Sequence, residues 1–300
     1  MDIHYLKGPE IDQLKWNSCV HYANNGNVFG YMWYLNHIAK DWDALVEGDY
    51  ESVFPLVWKK GFFNQMELYQ PSLMREMGIY SVHILSKVRI QHFLDAIPET
   101  FKRVDIAVNE QNLPPAEAGF EVSEKTNYQL LLNPNYEELF DHFPKALIHQ
   151  LQRAEDAGLA LTSGLKPEVI ADFFRQHTPR RRKLKQDFHA LQRIMYNALH
   201  RGWGFASGVI DRTGKLYAVN FLIYSHGKVM SLAPVQSPEG QKAGALPYLF
   251  DGLIRSHAGR PLILDFNTES TNELALQFGA SPRPFYQIHR NKQWWNALSF

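Results

Sequence analysis

Cysteine is almost absent from this chain. Cys19 stands alone among 300 residues, so no disulfide can form within the chain and a reducing compartment is expected. Long apolar runs are missing too. The longest are of strand length and broken by charge, which excludes a helical membrane span. The opening MDIHYLKGPE has neither a basic stretch nor an apolar core, so no secretory signal is expected and the cytoplasm is the expected location. There is no excess of charge of either sign: 31 Lys and Arg face 31 Asp and Glu. That balance argues against a general binder of DNA or a membrane-coating protein. Metal-ligand spacing is also lacking. None of the 13 histidines sits in HxxxH spacing and there is no CxxC, so no metal is expected.

What is present reads as an ordinary globular chain, 45% hydrophobic and 21% charged, long enough for one large domain or two of about 150 residues. Charge is unevenly spread. Residues 1–127 carry 11 Lys and Arg against 17 Asp and Glu, and residues 128–300 carry 20 against 14. Either the second half handles an anion, or the two halves attract one another.

The patterning repeats. In the first half, DALVEGDYESVFPLVWKK and FFNQMELYQ read as three antiparallel strands with turns at EGD and KKG. The irregular PSLMREMGIYS, the helix KVRIQHFLDAI and the strand RVDIAVN follow. In the second half, FASGVID, KLYAVNFLIY and KVMSLAP form a like meander. An irregular segment, the helix ALPYLFDGLIRSH and the strand PLILDFN come next. Residue identity between the halves is negligible, so the repeat is one of element order. It predicts an α/β (α+β) chain of two similar domains, 1–130 and 131–300, each a mixed, mostly antiparallel sheet flanked by helices. Helical segments lie between the two meanders. NPNYEELFDHFPKALIHQLQRAEDAG ends at Gly158, and QDFHALQRIMYNALHRG places Phe188, Leu191, Met195, Ala198 and Leu199 on one face. Near the start, Asn27 can cap a helix over NVFGYMWYLNHIAKDW.

The stretch VMSLAPVQSPEGQKAGALPYLF, residues 229–250, turns from strand to helix through two prolines and two glycines. A helix start exposes backbone N–H groups and the positive end of the helix dipole, which together suit an anion. Meander, loop, helix and strand in this order resemble an N-acyltransferase of the GNAT kind. The spacing Gln241-x-x-Gly244 resembles the Q/R-x-x-G-x-G/A signature of those enzymes, with Leu246 where Gly or Ala is usual. The resemblance implies that Ala233, Val235, Gly240, Gln241, Lys242, Ala243, Gly244, Ala245 and Leu246 hold the pyrophosphate and arm of an acyl-CoA such as acetyl-CoA. A bulky residue at Gly244 is then expected to abolish donor binding without unfolding the chain.

Other stretches are similar to the FemAB-like branch of that superfamily, tandem GNAT folds that form amide bonds. They are WYLNHIAKDWDALV, VFPL and YQPSLMREMGIYS in the first half, and LDFNTESTNELALQFGASPRPFYQIHRN in the second. The branch has glycine and serine after the Asp-Phe pair, where this chain has Asn267-Thr268-Glu269-Ser270. The resemblance implies a donor-binding second domain and a degenerate first domain on the acceptor side of an inter-domain cleft.

Direct transfer of an acyl group to an amine needs a bound donor, a deprotonated amine and a proton for the leaving group, but no protein nucleophile. Asp265 and Glu269, at and beyond a strand end, can serve as base or hold an ammonium. Residues 270–273 also read as a capping box for the helix NELALQF. Tyr286 and Tyr248 can protonate a leaving thiolate, or can simply pack in the core. The basic run of Arg180, Arg181, Arg182, Lys183 and Lys185 can meet the CoA 3′-phosphate, a tRNA acceptor stem or an anionic acceptor, or can be a solvated loop. Trp294 and Trp295 can line a cleft or dock the terminus. The expected function is N-acyl transfer from acyl-CoA to a small-molecule or peptide amine. Its rivals are aminoacyl transfer from tRNA and a non-catalytic binding protein on the same fold.

Overall fold

The computed structural model describes residues 1–61, 64–178 and 187–291. Arg180, Arg181, Arg182, Lys183 and Lys185 lie outside the described residues, as do Trp294 and Trp295. The chain forms two compact units. One holds Met1–Thr126 and the strand that returns from Pro284, and the other holds Asn127–Arg283.

In the first unit, β1 (Ile3–Leu6) precedes α1 (Gln13–Tyr22), α2 (Met32–Ile38), β2 (Asp41–Glu47), β3 (Ser52–Lys60), β4 (Met66–Tyr69) and β5 (Tyr80–Ser81). Then come α3 (Lys87–Asp95), β6 (Phe101–Val108) and β7 (Glu121–Leu131), which leads into the second unit. The meander is β2, β3 and β4, each antiparallel to the next, and β6 returns parallel to β4. Asn27 caps only a single 3-10 turn, and the helix proper starts at Met32. Asp12 and Ser86 cap α1 and α3 by accepting first-turn N–H groups, which removes part of the cost of starting each helix. Trp16, Tyr34, Phe54, Phe93 and Phe101 fill the core. Cys19 is 4% exposed, and burial pushes its thiol up to about 12, so it is no thiolate nucleophile at neutral pH.

The second unit continues with α4 (Tyr136–Phe140), α5 (Lys145–Asp156), β8 (Ala160–Ser163), α6 (Pro167–His177), α7 (Asp187–His200), β9 (Gly204–Ile210), β10 (Leu216–Ser225) and β11 (Lys228–Ser231). β12 (Val235–Gln236), α8 (Pro238–Ala243), α9 (Ala245–His257), β13 (Ile263–Asp265), α10 (Glu273–Gln277) and β14 (Ser281–Asn291) complete the chain. The sheet order is β7-β13-β11-β10-β9-β8. Again three antiparallel strands, β9 to β11, lead through a helix, α9, to a strand parallel to the third. Leu249, Phe250 and Ile254 of α9 are buried, as are Leu147 and Leu151 of α5. Each such side chain contributes about 1.5–3 kcal/mol by leaving water.

Three expectations shift. The helical stretch before Gly158 divides into α4 and α5, because Pro144 N-caps the second helix. On α7 the buried face is Leu191, Ile194, Met195 and Ala198, while Leu199 is 37% exposed. The last strand, expected in the second domain, enters the first unit: β14 pairs antiparallel with β6, Tyr286 opposite Val108.

Candidate functional site

β11 and β13 run parallel for only three residue pairs, from Lys228 opposite Ile263 to Met230 opposite Asp265. Beyond those pairs each strand keeps only its outer neighbour. The N–H of Leu232 donates to Phe221 O on β10 at 2.8 Å, whereas that of Phe266 donates to Tyr128 O on β7 at 3.0 Å. Their shared ladder ends at Met230 and Asp265, which leaves an opening in the hydrogen-bonded ladder between the two strands.

The carboxylate of Asp265 anchors one lip of this opening. The residue is 2% exposed and accepts from Asn127 Nδ2 at 3.0 Å, Gln129 Nε2 at 2.9 Å and the N–H of Asn267 at 2.8 Å. Asn127 and Gln129 are two apart on β7, so both amides leave the same face of the strand. Asn127 Oδ1 in turn accepts from the N–H of Thr268 at 2.9 Å. Asn267 adopts φ +54, a conformation that asparagine tolerates and that this double anchoring holds. Both carboxylate oxygens of Asp265, expected as base or ammonium holder, are thus engaged by the turn and by β7. Thr268 Oγ1 is buried with no hydrogen-bond partner among the described residues. Glu269 is exposed on the turn that follows. Helix α10 is capped by Asn272, whose side chain accepts from Ala275 N, and not by Ser270.

The other lip leads into α8 and α9. Ala233 is fully buried and Val235 pairs with Val219. Gly240, expected beside a phosphate, faces protein: a Cβ there would lie 2.2 Å from Tyr217 O. At Gly244, with φ +76, it would lie 2.4 Å from Gln150 O on α5. The two glycines therefore serve close packing of backbone on backbone. The amides of this stretch are also largely committed. Gly240 N–H donates to Ser237 Oγ at 3.0 Å, Leu246 N–H to Gln236 Oε1 at 3.1 Å and Tyr248 N–H to Gly244 O at 3.1 Å, and Pro247 has none. Ala245 is fully buried, Ala243 is half-buried, and Gln241 and Lys242 face solvent.

Tyr248 lies further along α9, half-buried beside Glu155, Asp251 and Arg255 in a surface depression of about 400 Å³. Burial, then Glu155 and Asp251, push its phenol up, so it stays protonated and able to donate. Tyr286 is pushed the same way, by burial and then Glu124 and Glu110, but its strand belongs to the first unit. Asp265 and Glu269 thus share one turn, Tyr248 sits in a different depression, and Tyr286 is in the other unit.

Tyr136, Asp251 and Arg255 form a cluster that sequence reasoning missed. Tyr136 Oη donates to Asp251 Oδ1 at 2.6 Å, and Arg255 donates to Tyr136 Oη at 2.9 Å with its guanidinium over the ring. Burial raises the Asp251 carboxyl above its ordinary 3.8, against the lowering effects of Tyr136 and Arg255. A raised carboxyl stabilises the fold fully below 3.8 and loses that contribution as pH rises through the elevated value. An Asp251→Asn protein, which keeps an oxygen for Tyr136, is expected to gain stability relative to the parent as pH rises from below 3.8 to neutrality. Urea midpoints across that range test this, and a constant difference would rule out Asp251 as the titrating group.

No protein-family model and no curated protein matches the chain. Solved structures do. FemX aligns over 99% of this chain and 100% of its own, at 13% identity and a TM-score of 0.66. L-PGS from Bacillus licheniformis aligns over 96% and 94% at 12% identity and 0.57. A tandem GNAT protein from the clavulanic acid biosynthesis pathway aligns over 96% and 98% at 12% identity and 0.54. The chain has the tandem GNAT fold. No described helix is long and apolar enough to cross a membrane.

Proposed function

We propose that this chain is an N-acyltransferase whose activated donor enters the opening between β11 and β13. The observation that carries this reading is the opening itself, where both strands leave their shared ladder after three pairs. The attacking amine forms a C–N bond to the acyl carbon while the bond to the leaving group breaks. The amine gives up a proton and the leaving group gains one. The Thr268 hydroxyl donates to the carbonyl oxygen as negative charge develops there, and its buried, unpaired state supports that role. Asp265 holds the turn that carries Thr268. Glu269 receives the incoming ammonium, and the leaving group takes its proton from water, since Tyr248 lines another depression and Tyr286 belongs to the other unit. The first donor assigned is acyl-CoA, with exposed Lys242 toward its phosphates. The cytoplasm is the compartment that suits such a donor.

One observation favours a second donor. The committed amides and packed glycines around Gly244 leave little backbone for a pyrophosphate. An aminoacyl-tRNA would present its ester at the same opening without needing that cradle. Calorimetric titration with CoA, acetyl-CoA and dephospho-CoA, then with tRNA at two salt concentrations, separates the readings. Binding of acetyl-CoA with transfer to an amine, and about a hundredfold lower kcat in Thr268→Val, is the expected result. Salt-dependent tRNA binding without CoA binding would replace the first donor by the second. Binding of neither would sink both and leave the non-catalytic alternative.

A further inference from the structure

Helix α9 has a glycine, Gly252, well inside its span. An interior glycine costs a helix about 1 kcal/mol against alanine, so its presence calls for a packing or functional reason. A Cβ there would meet the end of Leu161 at 2.3 Å. Leu161 belongs to β8, at one end of the strand order, and is 48% exposed. The missing side chain lets Leu161 lie across α9, and a surface depression extends on each side of that crossing.

The two depressions share Leu161, Gly252 and Ser256. The first, about 400 Å³, presents the polar groups of Glu155, Tyr248, Asp251 and Arg255. The second, about 220 Å³, is mostly apolar, with Phe205, Leu222, Leu249 and Leu253. Phe205 is 42% exposed, so two large apolar side chains face solvent along one groove. Contiguous exposed apolar surface with polar groups at one end is the form of a ligand site.

Charge at the polar end selects the ligand's head group. Arg255 already faces Asp251 at 3.5 Å and donates to Tyr136 Oη. The side chain of Glu155, exposed on α5, has no hydrogen bond or ion pair among the described residues. Arg255 is thus engaged by Asp251 and Tyr136, and Glu155 is the exposed charge left unpaired, so an ammonium entering there gains an ion pair that a carboxylate would not. We propose that the groove along α9 binds a primary amine with a short apolar tail, its ammonium beside Glu155 and its tail over Leu161 and Phe205. The site lies wholly within the second unit and is read by binding, so it stands or falls independently of acyl transfer.

The test uses the full chain with hexylamine, hexanol and hexanoate as probes, by calorimetry and by amide NMR shifts. Hexylamine is expected to bind about tenfold more tightly than hexanoate, with shifts centred on α9 and β8. Glu155→Gln should weaken hexylamine roughly threefold, the scale of an exposed ion pair, and leave hexanol unchanged. Gly252→Leu, a better helix former that fills the groove, should remove binding of both. Hexanoate binding as tightly as hexylamine, or no probe binding at all, would overturn the proposal. So would full hexylamine binding by a folded Gly252→Leu protein, or shifts confined to other residues. Should circular dichroism show Gly252→Leu unfolded, the exposed Glu155→Gln decides alone, and undiminished amine binding by it rejects the assignment.

Discussion

Gly244→Ala is expected to destabilise the protein far more than Gly259→Ala, although the two glycines have nearly the same backbone. Their φ values are +76 and +78. Placing alanine in that left-handed conformation costs about 1–2 kcal/mol at either position. At Gly259 nothing lies within 4 Å of the new Cβ, so that is the whole cost. At Gly244 the Cβ would stand 2.4 Å from Gln150 O, part of the α5 backbone, which cannot rotate away as a side chain can. Overpacking of this kind adds about 1–3 kcal/mol. Thermal unfolding should show a loss of roughly 2–4 °C for Gly259→Ala and about two to three times that for Gly244→Ala. Equal losses would mean that φ alone explains Gly244 and that the contact with α5 is slack. The outcome also bears on function. A bulky residue at Gly244 is no longer expected to block a donor while leaving the fold intact, so loss of binding in such a variant says nothing about phosphates until its folding is measured.

Asp265→Asn is the second large effect. The parent carboxylate accepts from two side-chain amides and one backbone N–H, all at 3.0 Å or less. An asparagine replaces one accepting oxygen by an NH2 group, which turns a donor toward a donor. A buried polar group left unsatisfied in this way costs about 1–3 kcal/mol. The loss does not stop at the fold. Asn267 and Thr268 are held by Asp265 and Asn127, and they form the lip of the opening assigned to the donor. A displacement of about 1 Å at a reacting centre costs on the order of a hundredfold in rate. Asp265→Asn should therefore lose stability and transfer activity together, whereas Glu269→Gln, at an exposed position, should leave stability nearly unchanged. Lost activity at unchanged stability in Asp265→Asn would instead identify Asp265 as the base and overturn its positioning role.

Much of the architecture was legible in the residues themselves. The first meander announces itself by apolar runs cut at EGD and KKG, and the helix over ALPYLFDGLIRSH coincides with α9. These are local signals. Turn chemistry and a repeat of 2 or 3.6 residues act over a few positions, so a sequence reader can find them. The paired order of elements then followed, and with it the fold.

The site was less legible because its determinants are far apart in the chain. Asp265 is visible at a strand end, but nothing local reveals that Asn127 and Gln129 enclose it. Gly244 stands out as a glycine before a helix, a position that suits either a phosphate or a neighbouring helix. Only the placement of Gln150 O against it decides between them. Likewise the pattern of PRPFYQIHRN reads as a strand, while its pairing with β6 puts Tyr286 in the first unit. By itself, the sequence determined which segments are strands and helices and in what order, since those depend on neighbours in the chain. Tertiary structure alone decided which polar groups are enclosed and which glycines are crowded, because hydrogen bonds and packing are settled by residues that meet only after folding.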